Sequence, residues 1–121
     1  MSFDAKNPSK RYRVDIEVKY FNLTQMVHSE GTIIDINLHG GVLIDNKNFI
    51  FNKHHQLQFN LPLTGCLDLS YGEFMRLTAK TRNVFMGGNK VGFSWEYLSE
   101  NQHIILTKFL TNLVSDNFNK N

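Results

Sequence analysis

The stretch Val14-Asp15-Ile16-Glu17-Val18-Lys19-Tyr20 alternates strictly between apolar and polar side chains. Successive Cβ atoms of an extended chain point to opposite sides, so a period of two marks a β-strand with one buried face. Further along, Gly31-Thr32-Ile33-Ile34-Asp35-Ile36-Asn37 is rich in β-branched residues and breaks at Leu38-His39-Gly40-Gly41. Val42-Leu43-Ile44 then resumes until the turn signal Asp45-Asn46-Lys47-Asn48, and the two runs read as a hairpin.

Leu57-Gln58-Phe59-Asn60-Leu61 alternates again and is stopped by Pro62 with Thr64-Gly65. Between Glu73 and Met86, the residues Met75, Leu77 and Ala79 share one face, whereas Val84 and Met86 fall on the other parity. A bulge near Arg82-Asn83 absorbs the shift. Gly87-Gly88-Asn89 is a turn, and Val91, Phe93, Trp95 and Tyr97 form one more apolar face. The last part of the chain changes period. Ser99-Glu100-Asn101-Gln102 has the form of a capping box, and Leu106, Phe109, Leu110 and Leu113 recur at helical spacing with Ile105 beside them. The body is therefore mainly β, five or six short antiparallel strands followed by one amphipathic helix, which points to a small barrel or curled sheet plugged by that helix.

Composition agrees with a single domain. The chain has 121 residues, 41% of them hydrophobic and 20% charged, and its ten Phe, four Tyr and one Trp supply bulk for one core. We expect a flexible basic arm over residues 1–12, one domain over 13–115 and a disordered tail over 116–121. The lone Cys66 has no intramolecular disulfide partner, which suits a reducing cytoplasm. No run exceeds three consecutive hydrophobic residues, so neither a membrane span nor a secretory leader is expected. Residues 1–13 hold Lys6, Lys10, Arg11 and Arg13 against Asp4, a net +3, while the rest has nine basic and ten acidic residues, a net −1. A nearly neutral body argues against a single-stranded nucleic-acid groove, and a short basic arm suits a compact anionic ligand.

Catalytic signatures are missing from the sequence. It has no Gly-x-x-x-x-Gly-Lys, no Gly-x-Ser-x-Gly and no His-Glu-x-x-His. His54-His55 would face opposite sides of a strand and reads as a solvated turn, and His28 and His103 stand alone. No enzyme, metal or cofactor is expected. Cys66 reads as a small buried hydrophobe and Trp95 as core.

What stands out is Asp35-Ile36-Asn37-Leu38-His39-Gly40-Gly41 at a strand-to-turn junction, together with Lys10-Arg11-Tyr12-Arg13 ahead of the first strand. With Val91-Gly92-Phe93-Ser94-Trp95 and the helix opening Leu98-Ser99-Glu100-Asn101, this order resembles the PilZ domain family. Those domains bind the bacterial second messenger cyclic diguanylate (cyclic di-GMP) through an N-terminal Arg-x-x-x-Arg and a downstream Asp/Asn-x-Ser-x-x-Gly. The resemblance implies a six-stranded antiparallel barrel of the split-barrel type with one C-terminal α-helix. It also implies a cytoplasmic receptor that relays the messenger to a protein partner through ordering of the arm.

Carried onto this sequence, the resemblance puts Arg13 at the second Arg, Asp35 at the first position of the downstream motif, and Gly40 at its Gly. Asn37 stands where the motif has Ser, and keeps both a donor and an acceptor. Ser9 stands where the first Arg belongs, so Lys10 and Arg11 are the candidates to supply its charge, although Lys lacks the bidentate fork. Gly40 is expected to permit positive φ or close ligand approach. The residues alone leave blander readings open, in which Asp35 and Asn37 only shape a turn and Arg11 and Arg13 only solvate the start of the domain. The alternative function is a degenerate PilZ-like domain that binds no nucleotide and serves as a protein-interaction adaptor in pilus or motility control. Oligomeric state is left open.

Overall fold

The computed structural model describes residues 10–63 and 74–119. Residues 1–9 of the expected arm, the Thr64-Gly65 turn, Cys66 and residues 120–121 lie outside the described residues. Six strands, β1 (Tyr12–Asn22), β2 (Val27–Ile36), β3 (Gly40–Asp45), β4 (Gln56–Pro62), β5 (Phe74–Val84) and β6 (Lys90–Glu96), are followed by helix α1 (Glu100–Asn119). Every pairing is antiparallel, and the strands close in the order β1-β2-β3-β6-β5-β4. The expected six-stranded barrel with one C-terminal helix is what the chain forms.

The inward faces are those that the alternation selects. Leu57, Phe59 and Leu61 of β4, Leu77 and Ala79 of β5, and Val91 of β6 are fully buried, with Phe93 and Trp95 beside them. Phe59, Phe93 and Trp95 meet as a tilted and edge-on aromatic cluster, centroids 4.9 to 5.9 Å apart. Helix α1 lays Ile105, Leu106, Phe109 and Leu110 against this core. Its capping box is formed reciprocally: the Gln102 amide donates to Ser99 Oγ at 3.0 Å and the Ser99 amide to Gln102 Oε1 at 2.9 Å. Gln102 Nε2 also donates to the Arg76 carbonyl at 2.8 Å, which ties the helix start to β5. The helix continues to Asn119, past the point at 115 where loss of apolar periodicity suggested a tail. Propagating a formed helix adds one bond per residue and needs no apolar face.

Three register slips shape the outer surface. One falls between Thr81 and Val84, where the parity shift placed it, and leaves the successive residues Arg82 and Asn83 both exposed. The other two, between Arg13 and Ile16 and between Ile33 and Asp35, were not expected from the sequence. The second explains how Ile33 and Ile36, three residues apart, are both fully buried while Asp35 is turned outward.

Candidate functional site

The candidate residues converge at one end of the β1-β2-β3 sheet. The strand pairing sets Arg13 directly opposite Asp35, and Arg11 Nη1 lies 3.1 Å from Asp35 Oδ2. The Asp35 side chain is 23% exposed and that of Arg11 62%. Asp35 Oδ1 is buried and meets no hydrogen-bond donor among the described residues. The carboxylate is thus half engaged, with an acceptor to spare.

Two recesses share Arg11 and Asp35. One, of about 210 Å³, is also lined by Asn37, Gly41, Arg82 and Ser94. The other, of about 480 Å³, is lined also by Val14, Ile34, Val42 and Phe85 together with Arg13 and Lys90. Across both, four cations (Arg11, Arg13, Arg82 and Lys90) face the single carboxylate of Asp35. Lys90 Nζ sits 4.9 Å over the Phe85 ring. Such a surface attracts an anion with a flat apolar part. Lys10 is exposed and lines neither recess.

Asn37 and Gly40 build the turn. Asn37 Oδ1 accepts from the amides of His39 at 2.8 Å and Gly40 at 2.9 Å, an Asx turn closed by Asn37 N–H donating to the Gly40 carbonyl at 2.8 Å. The Asn37 carbonyl accepts from Trp95 Nε1 at 3.0 Å, locking the turn to the core. The expectation of positive φ at Gly40 is corrected, because among the described residues only Gly87 and Gly88 are glycines in that region. Gly40 is required by close packing of β3 on β6: a Cβ there would lie 1.9 Å from the Phe93 carbonyl oxygen.

Sequence reasoning missed Arg82, Ser94, Phe85 and Lys90 as site residues. The signal for Arg82 was present in the bulge it occupies, since a bulge re-aims side chains. The solvated-turn reading of His54-His55 holds for His54, which is exposed with φ of 68°, and is corrected for His55. His55 is buried: its amide donates to Thr81 Oγ1 at 2.7 Å and its Nδ1 lies 3.1 Å from Asn22 Nδ2. Burial holds the imidazole below its ordinary pKa. Among the described residues no group of three or more His, Cys, Asp or Glu side chains could hold a metal ion, and no helix is long and apolar enough to cross a membrane.

No family profile and no curated protein matches the chain by sequence. Its fold matches solved structures closely. The PilZ domain of CeSA from a cellulose-synthesizing bacterium superposes with a TM-score of 0.63 at 15% identity, over 90% of this chain and 99% of that one. The PilZ domain of YcgR from Escherichia coli, solved with c-di-GMP, gives a TM-score of 0.66 at 9% identity, over 91% of this chain and 92% of that one. The MrkH–c-di-GMP complex of K. pneumonia gives 0.67 at 11% identity over 93% of this chain, which spans 53% of that longer protein. A closed barrel of this topology with a capped C-terminal helix, superposing on PilZ domains over nearly its whole length, gives the chain the PilZ-domain fold.

Proposed function

We propose that the chain is a cyclic diguanylate receptor that breaks no bond and relays occupancy to a protein partner. The observation that carries this reading is the convergence of Arg11, Arg13 and Asp35 around two adjoining recesses with an excess of positive charge. The ligand has two phosphates and two guanines. Guanidinium groups grip phosphate bidentately and stack on purines. The guanine edge offers two adjacent N–H donors, which suit a carboxylate lining the recess such as Asp35. Ile34, Val42 and Phe85 in the lining of the larger recess give a base apolar surface to lie against. Asn37 and Gly40 serve by holding the turn in shape, and Lys10 belongs to the arm that closes over the ligand. The PilZ domain of YcgR was solved with c-di-GMP and MrkH in complex with it, which supports the same ligand here. Since the messenger is bacterial and internal, the reading carries a cytoplasmic bacterial protein with it.

The adaptor reading rests on a different observation. Arg11 already occupies Asp35, the Asn37 side-chain oxygen is spent on two amides of the turn, and Ser9 stands where the motif has its first Arg.

Isothermal titration with cyclic di-GMP, with GTP as control, separates the two. The receptor gives saturable heat that GTP does not reproduce and that Arg13→Ala and Asp35→Ala abolish while their circular dichroism stays native. No binding up to about 1 mM ligand, where the free energy is only about −4 kcal/mol, would leave the adaptor reading in its place.

A further inference from the structure

We propose that Arg82 is a phosphate-gripping residue of this site, aimed by Ser94, so that the recess holds its anion between the guanidinium groups of Arg11 and Arg82. The inference deepens the receptor reading and rests on it. Arg82 sits on the β5 bulge, where the extra residue turns it outward beside the recess that Arg11, Asp35 and Gly41 also line. Its Nε donates to Ser94 Oγ at 2.9 Å. It makes no other hydrogen bond or ion pair with a described residue, so both terminal nitrogens stay unengaged on the described surface.

That arrangement is odd for a solvated arginine and apt for a ligand contact. An unpartnered surface guanidinium normally keeps its rotamer freedom, whereas this one is tethered through Nε by a small hydroxyl on the neighbouring strand. Tethering at Nε leaves the paired Nη groups as the fork, the geometry that meets two oxygens of one phosphate. It also keeps a second guanidinium in the recess that Arg11 lines, whose own charge is balanced by Asp35. The charge of Arg82 is balanced by no described carboxylate, and a phosphodiester bridging Arg11 and Arg82 supplies the missing anion.

Titration of the full chain with cyclic di-GMP tests this with four variants: Arg82→Gln, Arg82→Lys, Ser94→Ala, and Arg76→Gln as a control on the same strand away from the recess. We expect Arg82→Gln to weaken binding at least about tenfold. Arg82→Lys should recover little because an ammonium has no fork, Ser94→Ala should lose less than Arg82→Gln, and Arg76→Gln should match the unmodified chain. Melting temperatures should not move, and the salt dependence of affinity should become shallower in Arg82→Gln alone. If the unmodified chain binds and Arg82→Gln binds equally well, this inference falls and the receptor reading stands. If the unmodified chain does not bind, both fall together.

Discussion

The Tyr20 hydroxyl donates to Asp45 Oδ2 at 2.5 Å inside the barrel wall, and Ser29 Oγ donates to the same oxygen at 2.6 Å. Asp45 Oδ1 accepts from the amides of Lys47 at 2.7 Å and Phe49 at 3.0 Å. One carboxylate thus ties β1, β2 and β3 to the turn that follows. Burial alone would push its pKa up. The hydrogen bonds from Ser29, Tyr20, Phe49 and Lys47 outweigh that and hold it below 3.8. Stability from this group is therefore full above pH 3.8 and is lost as pH falls through the lower folded value. For Tyr20, burial and then the Asp45 carboxylate raise the phenol pKa far above 10, so its stability is full below pH 10 and declines above it. Asp45→Ala, which strands two buried hydroxyls, should cost about 3 kcal/mol in urea unfolding, and Tyr20→Phe about 1 kcal/mol. Equal, negligible losses would show that the cluster contributes nothing.

His55 gives a separate pH signature. Asn22 Oδ1 accepts from the amides of Thr24 at 3.1 Å and Gln25 at 3.0 Å, which fixes the amide so that Nδ2 faces His55 Nδ1. That nitrogen is then an acceptor, and protonating it would set two donors against each other. With the folded pKa below 6.5, the folded state binds fewer protons than the unfolded one. Stability contributed by neutral His55 is complete above pH 6.5 and falls as pH drops through the folded value. Urea unfolding at pH 7.5 and 5.5 should show this loss in the unmodified chain, and His55→Gln should have a shallower pH dependence. An unchanged slope in the variant would assign the acid sensitivity elsewhere.

Strict alternation made β4 and β6 legible, and the parity change in β5 located its bulge, because burial on one face is what these patterns record. The first third of β2 was hidden. Val27-His28-Ser29-Glu30 looks polar, yet Ser29 is buried because Asp45 satisfies it. Of the site, Arg11, Arg13 and Asp35 were legible as residues, while for Arg82 the bulge was legible and its place beside Ser94 was not, since that depends on which strands become neighbours across the β5-β6 ladder. The turn role of Asn37 was among the readings that an Asx residue ahead of Gly offers, whereas the fit of Gly40 against Phe93 is steric and no spacing reveals it.

Gly40 and Asn37 should behave as structural residues. In Gly40→Ala the new Cβ meets the Phe93 carbonyl oxygen at 1.9 Å, backbone that cannot swing away, so β3 and β6 must part. A loss of about 3 kcal/mol is expected from this overpacking. Asn37→Ala orphans the His39 and Gly40 amides and should cost about 1 to 2 kcal/mol. Asn37→Asp, which keeps the accepting oxygen, should recover most of that. Thermal melts rank the three, and a Gly40→Ala protein as stable as the unmodified chain would refute the steric account.

The Arg11–Asp35 pair should do the opposite, contributing little to stability while controlling the site. One partner is 62% exposed and the other sits at the barrel rim, where water and salt screen the attraction. Arg11→Ala and Asp35→Ala should each change unfolding free energy by less than about 1 kcal/mol. In the double variant the departure from additivity, which is the coupling of the touching pair, should not exceed about 1 kcal/mol. Urea unfolding of the four proteins measures both quantities, and a single-variant loss well above about 1 kcal/mol would make the pair structural after all.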